Sequence, residues 1–123
     1  MPKKILVIDD EELLIKSMNR LLEKHGFEVY SAKNGNDAEV MAEEEDFDLI
    51  ICDIRMPGRD GVETVKAIKN SSKEKKGKKT GVIFITGFAD EETELEAMKL
   101  KPLAYLMKPF DINELMQVIK RSI

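Results

Sequence analysis

Ile5-Leu-Val-Ile8 runs straight into Asp9, Asp10, Glu11 and Glu12, and the pattern returns at Leu49-Ile-Ile-Cys52, which ends in Asp53. Short unbroken runs of Ile, Leu and Val that stop at polar residues read as strands buried on both faces, as in parallel sheets. In an open parallel sheet the ligand sits beyond the carboxyl ends of the strands. Two strands thus deliver three carboxylates, Asp9, Asp10 and Asp53, to one edge. Crowded carboxylates repel one another, and a hard divalent cation relieves that repulsion. Oxygen ligands that leave room for water and a phosphate suit Mg²⁺. The first expectation is therefore a metal-and-phosphate site.

Outward from these two runs, strand and helix alternate. Leu14, Met18, Leu21 and Leu22 recur at helical spacing, and Gly26 after His25 reads as a helix C-cap. Phe27–Ala32 reads as the second strand, and a short helix carrying Ala38, Met41 and Ala42 begins near Asn36. Leu49–Asp53 is the third strand, and Val62, Val65 and Ile68 stripe a third helix. Val82–Thr86 is the fourth strand, followed by a helix from about Asp90 to Leu100 that turns Leu95 and Met98 inward. Ala104–Met107 is the fifth strand. The last helix opens on Asp111-Ile-Asn-Glu114, an acidic capping box, and buries Ile112, Leu115, Met116 and Ile119. Met18, Met41, Met98 and Met116 read as core filler. Five strands alternating with five helices imply βαβ units and a three-layer α/β domain over residues 1–123. Asn70 to Gly81 contains no apolar residue and reads as an exposed, Lys-rich loop, a solvated linker or a docking patch for an acidic partner.

Composition narrows the function classes. A net charge of −4 argues against direct nucleic-acid binding, which needs a basic excess. The one cysteine, Cys52, cannot form an internal disulfide and points to a reducing compartment. The apolar stretch after Lys3-Lys4 is too short for a secretory signal, and nothing approaches a membrane span. The expectation is a cytoplasmic domain that does not engage membranes.

Thr86 ends the fourth strand and Lys108 lies just past the fifth, so both should emerge beside Asp53. A hydroxyl can donate to a phosphoryl oxygen, and an ammonium supplies a compact positive charge. Asp53 then has the neighbours a carboxylate nucleophile needs to form an aspartyl phosphate. Taken singly, each residue has a plainer reading. Asp9-Asp10 could cap the first helix, Lys108 could be a surface lysine, and Cys52 a small buried hydrophobe.

Together these residues resemble the receiver domain of bacterial two-component response regulators, across essentially the whole chain. The resemblance rests on Asp9-Asp10, on Asp53 followed by Met-Pro-Gly-Arg-Asp-Gly (56–61), on Thr86-Gly87, and on Tyr105-Leu-Met-Lys-Pro-Phe110. It implies a flavodoxin-like, doubly wound parallel sheet of order 2-1-3-4-5 with five flanking helices. It implies that Asp53 accepts a phosphoryl group from a sensor histidine kinase or a histidine phosphotransfer protein. It also implies Mg²⁺ held by Asp10, Asp53 and the Arg55 backbone carbonyl, with Asp9 acting through water, and a cis peptide between Lys108 and Pro109. Thr86 and Tyr105 are implied as switch residues that change the surface of the fourth helix, fifth strand and fifth helix. Partners then include a downstream target or an output domain outside this sequence, and a phosphorylation-dependent dimer.

This chain departs from the family pattern at Lys101-Pro102-Leu103-Ala104, where a Gly-Ala pair is common, and in the length of its Lys-rich loop. Arg55 and Phe88 occupy the second positions after Asp53 and Thr86, which influence access of water and phosphodonor. Two other function classes compete. A Mg²⁺-dependent phosphatase would use Asp53 as nucleophile, but such enzymes place an acid where Arg55 stands. A nucleotide- or flavin-binding domain would need a Gly-rich loop after the first strand, and Asp9 to Leu14 contains no glycine.

Overall fold

The computed structural model describes residues 2–71, 80–87 and 90–123. Most of the Lys-rich segment and Phe88 lie outside the described residues. The elements run β1 (Lys4–Ile8), α1 (Glu12–Lys24), β2 (Glu28–Ala32), α2 (Gly35–Glu44), β3 (Leu49–Asp53), α3 (Gly61–Ser71), β4 (Gly81–Thr86), α4 (Glu91–Met98), β5 (Ala104–Met107) and α5 (Ile112–Ser122). The strands form a parallel sheet of order β2-β1-β3-β4-β5, the doubly wound arrangement expected.

Alternation along the buried strands divides the core into two. Leu6, Ile8, Ile50, Cys52 and Phe84 face one side, where Ala38 of α2, Val65 of α3 and Ala97 of α4 cover them. Ile5, Val7, Leu49, Ile51, Ile83 and Ile85 face the other, against Met18 and Leu22 of α1 and Leu115 and Ile119 of α5. Each such side chain contributes roughly 1.5–3 kcal/mol by leaving water. That accounts for the unbroken runs of Ile, Leu and Val at Ile5–Ile8 in β1 and Leu49–Ile51 in β3.

Register carries the strand ends to the site. Ile8 pairs with Cys52, so Asp9 and Asp53 follow side by side. Asp53 pairs with Ile85, and Thr86 with Met107, which brings Lys108 next in line.

Helix ends follow the local chemistry. Gly26 has φ +92 after α1, the left-handed cap that a glycine supplies without steric cost. The Asn34 side chain accepts from the Asp37 amide at 2.8 Å, so α2 begins one residue earlier than its apolar pattern suggests. At α5, Asp111 Oδ1 accepts from the Asn113 amide at 2.8 Å, and no return bond from the Glu114 side chain is found among the described residues. The full reciprocal box stands instead at α3: Asp60 Oδ1 accepts from the Glu63 amide at 2.8 Å, and Glu63 Oε1 from the Asp60 amide at 3.3 Å.

Three expected core residues are corrected. Leu95 is 62% exposed and Met98 49%, so Met98 is not core filler, and Ile112 of α5 is 38% exposed. The eight-residue α4 turns Ala97 inward, with Thr93, Glu96 and Leu100 half-buried on the same side. Leu95 and Met98 share a helical spacing too, but on the opposite face. Met41 is half-buried and packs against the core.

Candidate functional site

Two strand ends and one loop converge at the carboxyl edge of the sheet. One oxygen from each of Asp9, Asp10 and Asp53 lies within 4.8 Å of the others, Asp9 and Asp53 buried and Asp10 exposed. Asp9 is 0% and Asp53 3% exposed. Lys108 enters from the far side, its Nζ donating to Asp53 Oδ2 at 3.0 Å and to Glu11 Oε1 at 2.8 Å. The same nitrogen lies 3.3 Å from Asp9 Oδ2. The peptide bond between Lys108 and Pro109 is cis, as the resemblance implied. The Lys108 amide donates to the Thr86 carbonyl at 2.7 Å, tying the end of β5 to the end of β4.

Asp53 is held at both oxygens, since Oδ1 accepts from the Arg55 amide at 3.1 Å. Arg55 thus engages the site through its amide. Asp9 Oδ1 accepts from the Glu11 amide at 2.9 Å, whereas Asp9 Oδ2 is buried with no hydrogen-bond partner among the described residues. A buried carboxylate oxygen met only by a long ion pair to Lys108 is under-satisfied, which is costly. Here it faces a cluster of oxygen ligands suited to a hard divalent cation, so the residues present fit such a metal.

The electrostatics agree. Burial pushes the Asp9 carboxyl up to about 6, and the neighbouring Asp53 charge adds to this; the Glu11 amide and the Lys108 ammonium pull the other way. Burial lowers Lys108, but its hydrogen bonds to Glu11 and Asp53 and the charges of Asp53 and Asp9 together hold it well above its usual value. Lys108 is therefore a fixed cation at any working pH. Burial raises the Cys52 thiol far out of reach of ionisation, which leaves it a small core residue.

Thr86 is fully buried at the end of β4. Tyr105, half-buried, packs against the cluster covered by α2, α3 and α4, and its hydroxyl is raised by burial and by the charges of Glu94 and Asp90. It is not brought into the carboxylate pocket.

Several contributors were given no individual role by the sequence. Glu11, quoted there only as part of the acidic run, reaches Lys108. Gly61 lets α3 approach β3: a Cβ there would collide with the Asp53 carbonyl oxygen and lie 2.9 Å from Cys52 Sγ. Arg59 Nη1 donates to Asn36 Oδ1 at 2.9 Å and Glu39 Oε1 at 2.8 Å, pinning the β3–α3 loop to α2. An open groove of about 460 Å³, walled by Leu14, Met18, Phe110 and Ile112, leads to Lys108 and Glu11.

Residues 5–120 match the response regulator receiver domain family. The transcriptional regulatory protein CrdR of Helicobacter pylori is 40% identical over 121 residues; the match covers 98% of this chain and 55% of that protein, so the chain spans just over half the relative's length. The solved structure of chemotaxis protein CheY4 of Vibrio cholerae is 29% identical, with a TM-score of 0.87 and full coverage of both chains. The Thermotoga maritima response regulator TrrA, solved in complex with Mg²⁺ and BeF, is 29% identical with a TM-score of 0.82, covering 98% of this chain and 99% of that one.

Proposed function

This chain belongs to the response regulator receiver domain family, and from that footing we propose how its residues work as a phosphorylation-operated signalling switch. Asp53 accepts a phosphoryl group from a phosphohistidine on a sensor histidine kinase or a histidine phosphotransfer protein. The histidine N–P bond breaks as a bond forms from an Asp53 carboxylate oxygen to phosphorus, and the proton balance is kept by the departing imidazole. The observation that supports this most directly is the almost fully buried Asp53 carboxylate, clamped by the Arg55 amide at 3.1 Å and by Lys108 at 3.0 Å.

Asp10 and Asp53, the Arg55 carbonyl, and Asp9 through water would hold Mg²⁺, which neutralises negative charge on the transferring group. Lys108, already paired with Asp53, follows the new phosphoryl oxygens, and Thr86 donates its hydroxyl to another. That movement at the end of β4 frees space for Tyr105 and alters the surface of α4, β5 and α5. The phosphoryl group shifts the balance between the two states by the difference in its contacts with each. We take residues 1–123 as the receiver unit, working in the cytoplasm, with a downstream target, an output domain or a second phosphorylated copy reading that surface. Among the described residues no helix is long and apolar enough to cross a membrane.

The Mg²⁺-dependent phosphatase alternative gains nothing from the relatives, and the position two residues after Asp53 holds Arg55 instead of a proton donor. The test is intact-mass spectrometry after incubation with a small acyl phosphate and Mg²⁺. One added phosphoryl group is expected in the native chain and none in Asp53→Asn; equal labelling of the variant would reject Asp53 as acceptor.

A further inference from the structure

Glu11 is the N-cap residue of α1, with extended dihedrals of φ −93 and ψ 106, yet its side chain makes no capping bond. Asp, Asn, Ser and Thr are the residues that normally cap at such a position. The Glu11 carboxylate is turned instead toward Lys108, 97 residues away, and at 2.8 Å it is nearer to that ammonium than Asp53 or Asp9. Its amide meanwhile donates to Asp9 at 2.9 Å. One residue thus holds a group on each side of the pocket.

An ammonium has three donors, and Lys108 faces three carboxylates. A phosphoryl group on Asp53 turns that carboxylate into an acyl group and brings negative oxygens of its own, which compete for the lysine with the two carboxylates that remain. Asp9 is buried and anchored by a backbone amide, so it cannot leave without stranding a charge. The Glu11 side chain is 60% exposed and can swing into water at little cost. We propose that Glu11 is a positioning residue for phosphoryl transfer, a displaceable counter-ion that holds Lys108 until the phosphoryl group takes its place. The proposal rests on the reading of Asp53 as phosphoacceptor. Breaking the Glu11–Lys108 pair is then part of the barrier to transfer, and Glu11 sets how fast the site responds.

Two substitutions separate contact from charge. Glu11→Gln keeps the length and removes the charge. Glu11→Asp keeps the charge, is one methylene shorter, and places a favoured cap at the start of α1, so folding is not compromised. With a small acyl phosphate and Mg²⁺, followed by intact mass, both variants should label faster than the native chain. The expected gain is about two- to fivefold, the worth of one partly exposed ion pair, and it should vanish in a Lys108→Ala background. In the metal-free protein the Lys108 ammonium protons, followed by ¹⁵N NMR, should exchange with water faster in both variants. A gain for Glu11→Gln with native behaviour for Glu11→Asp would reduce the effect to net charge and overturn the proposal. Native rates in both variants, unchanged ammonium exchange, or a gain that persists without Lys108 would do the same. A native chain that takes no label at Asp53 defeats the underlying reading instead.

Discussion

Lys108 Nζ and Asp53 Oδ2 lie 3.0 Å apart across 55 residues of sequence, a cation laid directly against the carboxylate proposed as phosphoacceptor. The pairing sets the resting geometry of the pocket. It also means that the group which neutralises Asp53 at rest is available to follow a phosphoryl group added there. In Lys108→Ala, divalent metal binding should persist, because the three carboxylates remain. The conformational response should be lost: amide resonances of Thr86 and Tyr105 should move on phosphorylation in the native chain and stay put in the variant. Equal shifts in the two proteins would remove Lys108 from the switch.

The carboxyl of Asp9 stands at about 6 in the folded chain against 3.8 ordinarily, raised first by burial. A raised carboxyl favours the fold while protonated. Its contribution is complete below about pH 4 and disappears as the pH climbs through 6. Metal-free protein should therefore lose on the order of 2 kcal/mol between pH 4.5 and 7.5 from this residue. Asp9→Asn should flatten that part of the profile and be the more stable protein at pH 7.5. Urea melts in chelator at several pH values measure both, and parallel profiles for the two proteins would contradict the assignment.

Gly61 leaves no room for a methyl group beside the Asp53 carbonyl. Gly61→Ala should cost about 2 kcal/mol or more, since backbone has to give way, and the displaced Asp53 should weaken Mg²⁺ binding as well. Urea denaturation and calorimetric titration read the two effects. A variant with native stability and native affinity would show that the loop relaxes freely.

On α4 the large apolar side chains point to solvent. Leu95→Ala and Met98→Ala should each change stability by no more than about 0.5 kcal/mol. Phe84→Ala, at a fully buried position of β4, should cost roughly 3–5 kcal/mol. Thermal or urea melts of the three variants check the ordering, and a large loss at Leu95 would restore the inward-facing helix.

The sheet was legible in the sequence because β1, β3 and β4 are almost unbroken apolar runs, a pattern with few other structural solutions. Parallel register then carried Asp9, Asp53, Thr86 and Lys108 to one edge without further information. Helix α4 itself was legible, but the face it turns inward was not. It has apolar residues on two faces, and the inward one is chosen by the small Ala97 fitting against the sheet, which no local spacing reveals. Glu11 was hidden for a similar reason: its partner is 97 residues distant and is met only after β5 joins the sheet. Gly61 could have been singled out as the glycine opening α3 beside the acceptor, but its necessity depends on how closely two backbones meet.

Successive residues of β1 and β3 look to opposite halves of the interior, and both strands stop at the pocket. The acidic rim is therefore anchored in two separate apolar halves, one roofed by α1 and α5, the other by α2, α3 and α4. A sideways shift at the end of β3 moves Cys52 against one roof and Ile51 against the other. The modification proposed at Asp53 would thus be felt on both flanks of the same small domain.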